Sequence, residues 1–276
     1  MHLAFFSERE LKRIKKEYPK VLSVNETLDL LIKNRASLTR FGDGEFSIFL
    51  ERKLGFQRCS KLLAGKIGEV LDSPPDPKLI IAIVSLEFEQ QEPGYENRRY
   101  NFSQWFWLRC WKFLKNHLRH PFYGNAFVSR LKVFEEASLE KIKSVWNDRD
   151  VVFIVPANGR FVMDNRLFDN IKSAEFVHVP PTDAFDSYDT ILQEALQHDK
   201  EKLYFIAAGP TATVLAFDLH KSGRQAVDFG HLPNCFRQFL GECKAPEKMH
   251  IVADTNYYLD TSKDVMPGTY FVGEKK

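Results

Sequence analysis

The sequence predicts an α/β protein built on a mainly parallel β-sheet flanked by helices. Short apolar runs alternate with segments of helical periodicity through the second half of the chain, and short loops join them. The runs 79–84 and 151–155 are apolar at every position, which is typical of strands buried on both faces. With 276 residues and a hydrophobic fraction of 44%, the chain can form one large core, and we predict a single domain over residues 1–276.

The first half contains fewer regular elements. Segment 8–17 is predicted as a surface helix because Ser7 and Glu10 form a capping box at its start. Asn25 is a candidate N-cap for a second helix, and a short strand is predicted at 38–41. A third helix is predicted at 61–71, where apolar residues recur at helical spacing until a proline-rich stretch.

The second half is predicted as a regular alternation of strands and helices. The strands are 150–155, 176–179, 203–208 and 225–229, and the helices are 139–146, 164–171, 186–197 and 211–220. Ligands of such sheets bind at the carboxyl ends of the strands. The loops that follow residues 41, 155, 179, 208 and 229 are therefore the places to look for a functional site.

The composition excludes several classes of protein. The 39 Lys and Arg against 37 Asp and Glu leave a net charge of +2, whereas proteins that bind nucleic acid by neutralising phosphates are usually far more basic. No apolar stretch approaches the roughly 18 residues of a transmembrane helix, and no signal-peptide pattern opens the chain. The four cysteines show no C-x-x-C spacing. We therefore expect a cytoplasmic protein with reduced thiols and no nucleic-acid partner.

The first candidate site is the R-F-G-D-G-E sequence at residues 40–45, after the first predicted strand. Gly42 and Gly44 allow a tight turn and a close approach of the backbone to a ligand. Asp43 and Glu45 are hard oxygen ligands that could hold a divalent cation which also binds phosphates. Arg40 could pair with a phosphate. The alternative is an ordinary hairpin turn, because Asp-Gly is a favoured turn dipeptide.

The second candidate site is the G-P-T-A-T sequence at residues 209–213, between a predicted strand and a predicted helix. Pro210 suits the first helical turn, and Gly209 keeps the loop free of a side chain. The backbone N–H groups, the helix dipole and the hydroxyls of Thr211 and Thr213 would form an anion site suited to a diphosphate. The sequence matches neither the P-loop nor the dinucleotide fingerprint. The alternative is a strand-to-helix junction without a ligand.

Two further residues follow predicted strands. His231 ends the D-F-G-H sequence at 228–231 and could bind a metal, contact a phosphate or move a proton. A single histidine can equally be structural. Arg160 follows the strand 150–155, and we expect it to point towards the same edge of the sheet.

Residues 105–120 form a predicted basic amphipathic helix. Arg109, Lys112, Lys115 and Arg119 share one face, the segment contains no acid, and the opposite face is aromatic. Such a helix could lie on an anionic membrane. We expect instead that the aromatic face, with Trp111, packs into the core. Peripheral contact with the inner face of the cell membrane remains an open alternative.

With these segments together, the chain resembles the bacterial glycosyltransferases of the GT-D fold, a Rossmann-like family first catalogued as a domain of unknown function. The resemblance covers about residues 25–245 and leaves 246–276 as a C-terminal extension. Its motifs are R-F-G-D-G-E at 40–45, N-R-L-F-D-N at 165–170, and G-P-T-A-T-V-L-A-F-D-L at 209–219 with D-F-G-H at 228–231. The last stretch is the most specific, because its strand, helix and Gly-His turn recur in order.

The resemblance implies a cytoplasmic enzyme that takes a sugar from a nucleotide sugar, typically UDP-linked, and uses Mn²⁺ (or Mg²⁺). The family's D-x-E motif falls on Asp43 and Glu45, which would hold the metal, and His231 completes the implied catalytic set. The implied nucleotide-sugar site consists of Arg40, Gly42, Gly44, Arg160, Gly209, Pro210, Thr211 and Gly230. Relatives carry acids after the Gly-His turn, whereas Glu242 is the first acid there in this chain.

We therefore expect a metal-dependent glycosyltransferase that builds cell-surface glycans on a glycan, glycoprotein or glycolipid acceptor. One alternative is a nucleotide-sugar or phosphoester hydrolase on the same scaffold, with water as the acceptor. Another is a non-catalytic protein that binds a nucleotide sugar or a glycan. Turnover with acceptor, turnover without acceptor, or binding without turnover would separate the three.

Overall fold

The computed structural model describes residues 6–52, 54–86, 102–157, 161 and 163–244. The extension 246–276 lies outside the described residues. Within the described residues the strands are β1 (Ser37–Arg40), β2 (Leu79–Ile83), β3 (Gly124–Asn125), β4 (Asp150–Pro156), β5 (Ser173–Val179), β6 (Leu203–Ile206) and β7 (Gln225–Asp228). The α-helices are α1 (Glu8–Glu17), α2 (Val24–Lys33), α3 (Asp43–Phe49), α4 (Lys61–Leu71), α5 (Phe102–Leu114), α6 (Leu131–Glu136), α7 (Leu139–Lys143), α8 (Asn165–Phe168), α9 (Tyr188–Gln197), α10 (Pro210–Lys221) and α11 (Leu232–Phe239).

The seven described strands form one sheet in the order β3-β2-β1-β7-β6-β4-β5. Every hydrogen-bonded pair is parallel, so the predicted parallel α/β fold is confirmed. Leu38 of β1 lies opposite Ile80 of β2 and Val227 of β7. Because the strands run in the same direction, their carboxyl ends meet at one edge of the sheet.

The sheet separates two hydrophobic clusters. One contains buried residues of α1, α3, α4, α5, α9 and α10, and the other contains those of α2, α6, α7, α8 and α11. Neighbouring residues of a strand enter opposite clusters: Ile81 belongs to the first, and Ile80 and Ala82 belong to the second. This burial on both faces explains why the central strands are apolar at consecutive positions.

Local signals determine where the first two helices begin. The Ser7 hydroxyl accepts a hydrogen bond from the Glu10 backbone N–H, and the Glu10 carboxylate accepts one from the Ser7 N–H, so the predicted capping box is confirmed. The prediction that Asn25 caps α2 is wrong. Ser23 is the N-cap, with a capping box to Glu26, and the Asn25 amide instead donates to the Glu136 carbonyl of α6.

Helix α5 packs its aromatic face into the first cluster. Trp107 is fully buried, and Trp111 is 5% exposed and lies 5.1 Å from Tyr18 between ring centres. Core packing of this face is thus confirmed, while Arg109 and Lys112 are exposed. No helix in the described parts of the chain has the length and hydropathy needed to cross a membrane.

Candidate functional site

The connections at the carboxyl end of β7 have the topology at which open α/β sheets form a ligand crevice. After β1 and β6 the chain continues into α3 and α10, which pack in the first cluster. After β7, which lies between those two strands, it continues into α11 in the second cluster. Loops that diverge to opposite faces leave a gap at the sheet edge, where ligands of open α/β sheets bind.

The R-F-G-D-G-E sequence leads from β1 directly into α3. Gly42 is the N-cap, and its N–H donates to Glu45 Oε2 over 2.7 Å. The hairpin alternative for this sequence is therefore wrong. Glu45 is 7% exposed, and Asp43, the first residue of α3, is half-buried. A Cβ atom on Gly44 would lie 4.0 Å from Pro210, so the two predicted motifs are neighbours.

Arg40 ends β1 and forms a buried ion pair with Asp228, which ends β7. Arg40 Nη2 lies 3.7 Å from Asp228 Oδ1, and the two side chains are 9% and 1% exposed. Burial raises the pKa of Asp228 to about 7, while the charge of Arg40 acts in the opposite direction. The nearby Glu45 carboxylate also raises the pKa of Asp228, so the charge of Arg40 offsets only part of these two effects.

Gly230 lies directly against the Arg40 side chain. Its φ of +47° favours glycine, and a Cβ atom there would lie 2.4 Å from Arg40 Nη2. No larger residue fits without moving the guanidinium. His231 follows as the half-buried N-cap of α11, so the Gly-His turn borders the same crevice, and the role of His231 in catalysis stays a prediction.

The Gly-Pro-Thr loop forms the start of α10, as predicted. Gly209 is the N-cap and Pro210 the first helical residue. The expectation that the Thr211 and Thr213 hydroxyls face a ligand is wrong, because both side chains are fully buried. The Thr211 hydroxyl donates to Gln57 Oε1 over 3.3 Å, and Gly209 is the exposed residue at the start of α10.

The carboxylates of Asp43 and Glu45 fit a hard divalent cation. Within the part of the chain that the structure describes, no group of three or more His, Cys, Asp or Glu side chains is arranged to hold a metal ion. Two carboxylates are the usual protein contribution to Mg²⁺ sites that substrate phosphates complete. One oxygen of Glu45 is already used by the Gly42 N–H, and its other oxygen is the candidate ligand. Arg160 lies outside the described residues.

The order of these motifs and the fold agree with one known family. The family described as "Glycosyltransferase GT-D fold" matches residues 38–258, compared with the 25–245 expected from the motifs. This chain belongs to the GT-D fold glycosyltransferase family. Two solved structures extend the likeness to nearly the whole chain. A glycosyltransferase (DUF1792) from Streptococcus sanguinis has 25% identity and a TM-score of 0.76, covering 93% of this chain and 96% of that one. The domain of unknown function 1792 with a distinct glycosyltransferase fold has 28% identity and a TM-score of 0.75, covering 96% of both chains.

Two curated relatives are longer than this GT-D chain. A probable glycosyl transferase Gly from Streptococcus gordonii is 30% identical over an alignment of 233 residues, which covers 79% of this chain and 33% of that protein. Glycosyltransferase GlyD from Streptococcus pneumoniae serotype 4 is 29% identical over an alignment of 232 residues, which covers 77% of this chain and 26% of that protein. This chain therefore spans a third or less of these relatives.

The GT-D motif at 165–170 has a structural role here. Arg166 donates to Asp164 over 2.6 Å and to Glu242 over 2.6 Å, and Arg237 donates to Glu242 over 2.9 Å. These two arginines hold the pKa of Glu242 at about 2. Glu242, the first acid after the Gly-His turn, is thus fixed as an ionised partner of α8 and α11 and is a poor proton acceptor.

Sequence reasoning misses two groups of residues at this GT-D site. Asp228 stands out only as part of the D-F-G-H sequence, although a charged residue at the end of an apolar strand is itself a signal of a functional edge. The loop between α3 and α4 carries no motif that marks it. Its Phe56 ring lies against Gly209, 3.0 Å from where a Cβ atom would be, and its Gln57 accepts from Thr211.

Proposed function

We propose that this chain transfers a sugar from a UDP-sugar to a hydroxyl group of a glycan, glycoprotein or glycolipid in cell-surface glycan assembly. One observation carries the proposal: Arg40, the D-x-E carboxylates and the start of α10 meet around the crevice at β7. A metal-bound diphosphate is bound well by a positively charged side chain, two carboxylates for the metal and a helix N-terminus at one edge. Membership of the GT-D family supports a sugar as the transferred group.

The chain's own residues would bind the donor through its diphosphate. Arg40 supplies a fixed positive charge, and the twelve-residue helix α10 directs the positive end of its dipole to the same edge. Gly209 and Gly44 let the backbones of α10 and α3 approach the ligand. These groups are in place before the donor arrives, so little reorganisation is needed when charge develops.

Asp43 and Glu45 would hold a Mn²⁺ or Mg²⁺ ion. When bound, such a cation offsets the negative charge that builds on the departing diphosphate. The cap hydrogen bond from Gly42 fixes the Glu45 side chain, so its carboxylate does not have to be ordered when the metal binds. The acceptor hydroxyl attacks the anomeric carbon, and the bond to the diphosphate breaks. His231 is the candidate proton acceptor at the crevice, because the low pKa of Glu242 makes that carboxylate a weak base.

The metal site can be tested with substitutions that keep the shape of the side chains. Asp43→Asn and Glu45→Gln should each lower turnover roughly 10²–10³-fold, the typical loss when a transition-state charge contact is removed. The Gln side chain can still accept the Gly42 N–H, because capping boxes use Glu or Gln, so the melting temperature should be preserved. Glu45→Ala loses this cap and should also destabilise the protein by about 0.5–2 kcal/mol.

Asp189→Asn is a matched control, because Asp189 is an exposed acid in the first turn of α9 and outside the proposed site. UDP release from a panel of UDP-sugars with Mn²⁺ is the assay. Wild-type rates in both Asp43→Asn and Glu45→Gln at saturating Mn²⁺ would refute the metal assignment. UDP release without acceptor would favour the hydrolase alternative, and UDP-sugar binding without turnover would favour the binding protein.

A further inference from the structure

Asp228 lies beneath the crevice and cannot itself contact a ligand. Its side chain is 1% exposed, and the Gly230 backbone and the Arg40 guanidinium lie next to it. An effect of Asp228 on the donor must therefore pass through a neighbour. Arg40 is that neighbour, because it is the ion-pair partner and retains 9% exposure at the sheet edge.

The hydrogen bonding of this pair is incomplete. Asp228 Oδ1 and Arg40 Nε are both buried and have no hydrogen-bond partner. The Thr213 hydroxyl lies 2.9 Å from the Arg40 carbonyl oxygen and 3.4 Å from Asp228 Oδ2. Its single proton is therefore donated mainly to the Arg40 carbonyl. Buried charges without full hydrogen bonding lower stability. Their presence next to a ligand-binding edge indicates a functional role.

From this geometry we infer that Asp228 is a positioning residue that holds the Arg40 guanidinium ready for the donor's diphosphate, with Thr213 fixing the Arg40 backbone. The inference rests on the proposed function, since it takes Arg40 as a diphosphate ligand. Gly230 is part of the same arrangement, because any side chain at that position would displace the guanidinium. The donor anion then pairs with the part of the Arg40 guanidinium that remains exposed at the sheet edge.

The principal test is a double-mutant cycle on UDP affinity, measured by calorimetry with Mn²⁺ present. Asp228→Asn keeps the side-chain volume and should weaken UDP binding roughly 10- to 100-fold, the range for losing the charged hydrogen bond that Arg40 would donate to the diphosphate. Arg40→Gln should weaken it at least as much. In the double variant the two losses should not add, because Asp228 acts only through Arg40. The donor KM should rise more than kcat falls in Asp228→Asn.

Thr213 provides a second test that leaves the ion pair intact. Thr213→Val removes the hydroxyl at nearly constant volume and should weaken UDP binding several-fold, whereas Thr213→Ser keeps the hydroxyl and should restore wild-type affinity. If Asp228→Asn does not fold, wild-type UDP affinity in Thr213→Val would overturn the inference.

The possible failures are distinguishable. Absence of UDP binding by the wild-type chain would overturn the proposed donor and this inference together. UDP binding by the wild type with undiminished affinity in Asp228→Asn, or strictly additive losses in the double variant, would overturn the inference alone. A lower melting temperature of Asp228→Asn with unchanged UDP affinity would show that Asp228 has a purely structural role and would also overturn the inference.

Discussion

Gly209, at the start of α10, has a backbone conformation that favours glycine. Its φ of +55° and ψ of −143° are a combination that residues with a Cβ atom rarely adopt, and holding one there costs about 1–3 kcal/mol. A Cβ atom would also lie 3.0 Å from the Phe56 ring. We predict that Gly209→Ala is destabilised by this amount, which lowers the melting temperature by roughly 2–4 °C per kcal/mol for a domain of this size.

Two other glycines serve as matched controls. Gly223 has a φ of +83° with no atom within 4 Å of where a Cβ atom would be, and Gly65 has neither a positive φ nor such a neighbour. Gly223→Ala should therefore show backbone strain without loss of UDP affinity. Gly65→Ala, within helix α4, should be neutral or stabilising. Adding Phe56→Ala to Gly209→Ala should recover little stability, because most of the loss comes from the backbone.

The assay pairs thermal unfolding with calorimetric titration of UDP in the presence of Mn²⁺. Gly209→Ala should lose UDP affinity as well as stability, because the first turn of α10 is displaced. An unchanged melting temperature in Gly209→Ala would refute the strain argument. UDP affinity that falls no further in Gly209→Ala than in Gly223→Ala would place the diphosphate elsewhere.

Two more predictions concern residues away from the crevice. Trp111→Ala should cost about 3–5 kcal/mol, because it empties a buried aromatic position; an unchanged melting temperature with abolished binding to anionic liposomes would instead support the membrane alternative for α5. Glu242→Gln tests the depressed pKa: ionised Glu242 stabilises the fold above its unfolded pKa of about 4.3, and this contribution is lost as the pH falls towards 2. The variant should be up to about 1 kcal/mol less stable at pH 7, a difference that disappears in unfolding curves near pH 2; a constant difference would contradict the assignment.

The sequence predicts helices well where local signals are strong. The predicted bounds 8–17 and 61–71 coincide with α1 and α4, because a capping box and a proline-rich stop define them. Helices α3 and α11 are not predicted. The seven residues of α3 are too few for a periodic pattern, and Asp-Gly indicates a turn. Tertiary packing compensates for the weak local helix signal of α3, because its Phe46 ring lies 5.7 Å from the Trp107 ring between ring centres.

The candidate site could be located from the sequence, but its construction could not. The carboxyl ends of parallel strands share one edge, and this rule places Arg40, Gly209 and Gly230 there in advance. The order of the strands depends on long-range packing. Only the placement of β7 beside β1 brings Asp228 under Arg40, and no pattern along the chain encodes that pairing.

Helix α10 and the loop before α4 differ in how they can fluctuate in the native state. Nine residues of α10, from Pro210 to Leu219, are buried, so we expect this helix to separate from the sheet only on global unfolding. The loop at 51–60 is exposed at most of its described positions and can open locally at far smaller free energy. We therefore expect the α10 side of the proposed site to keep its shape, while Phe56 could adapt to a bound ligand.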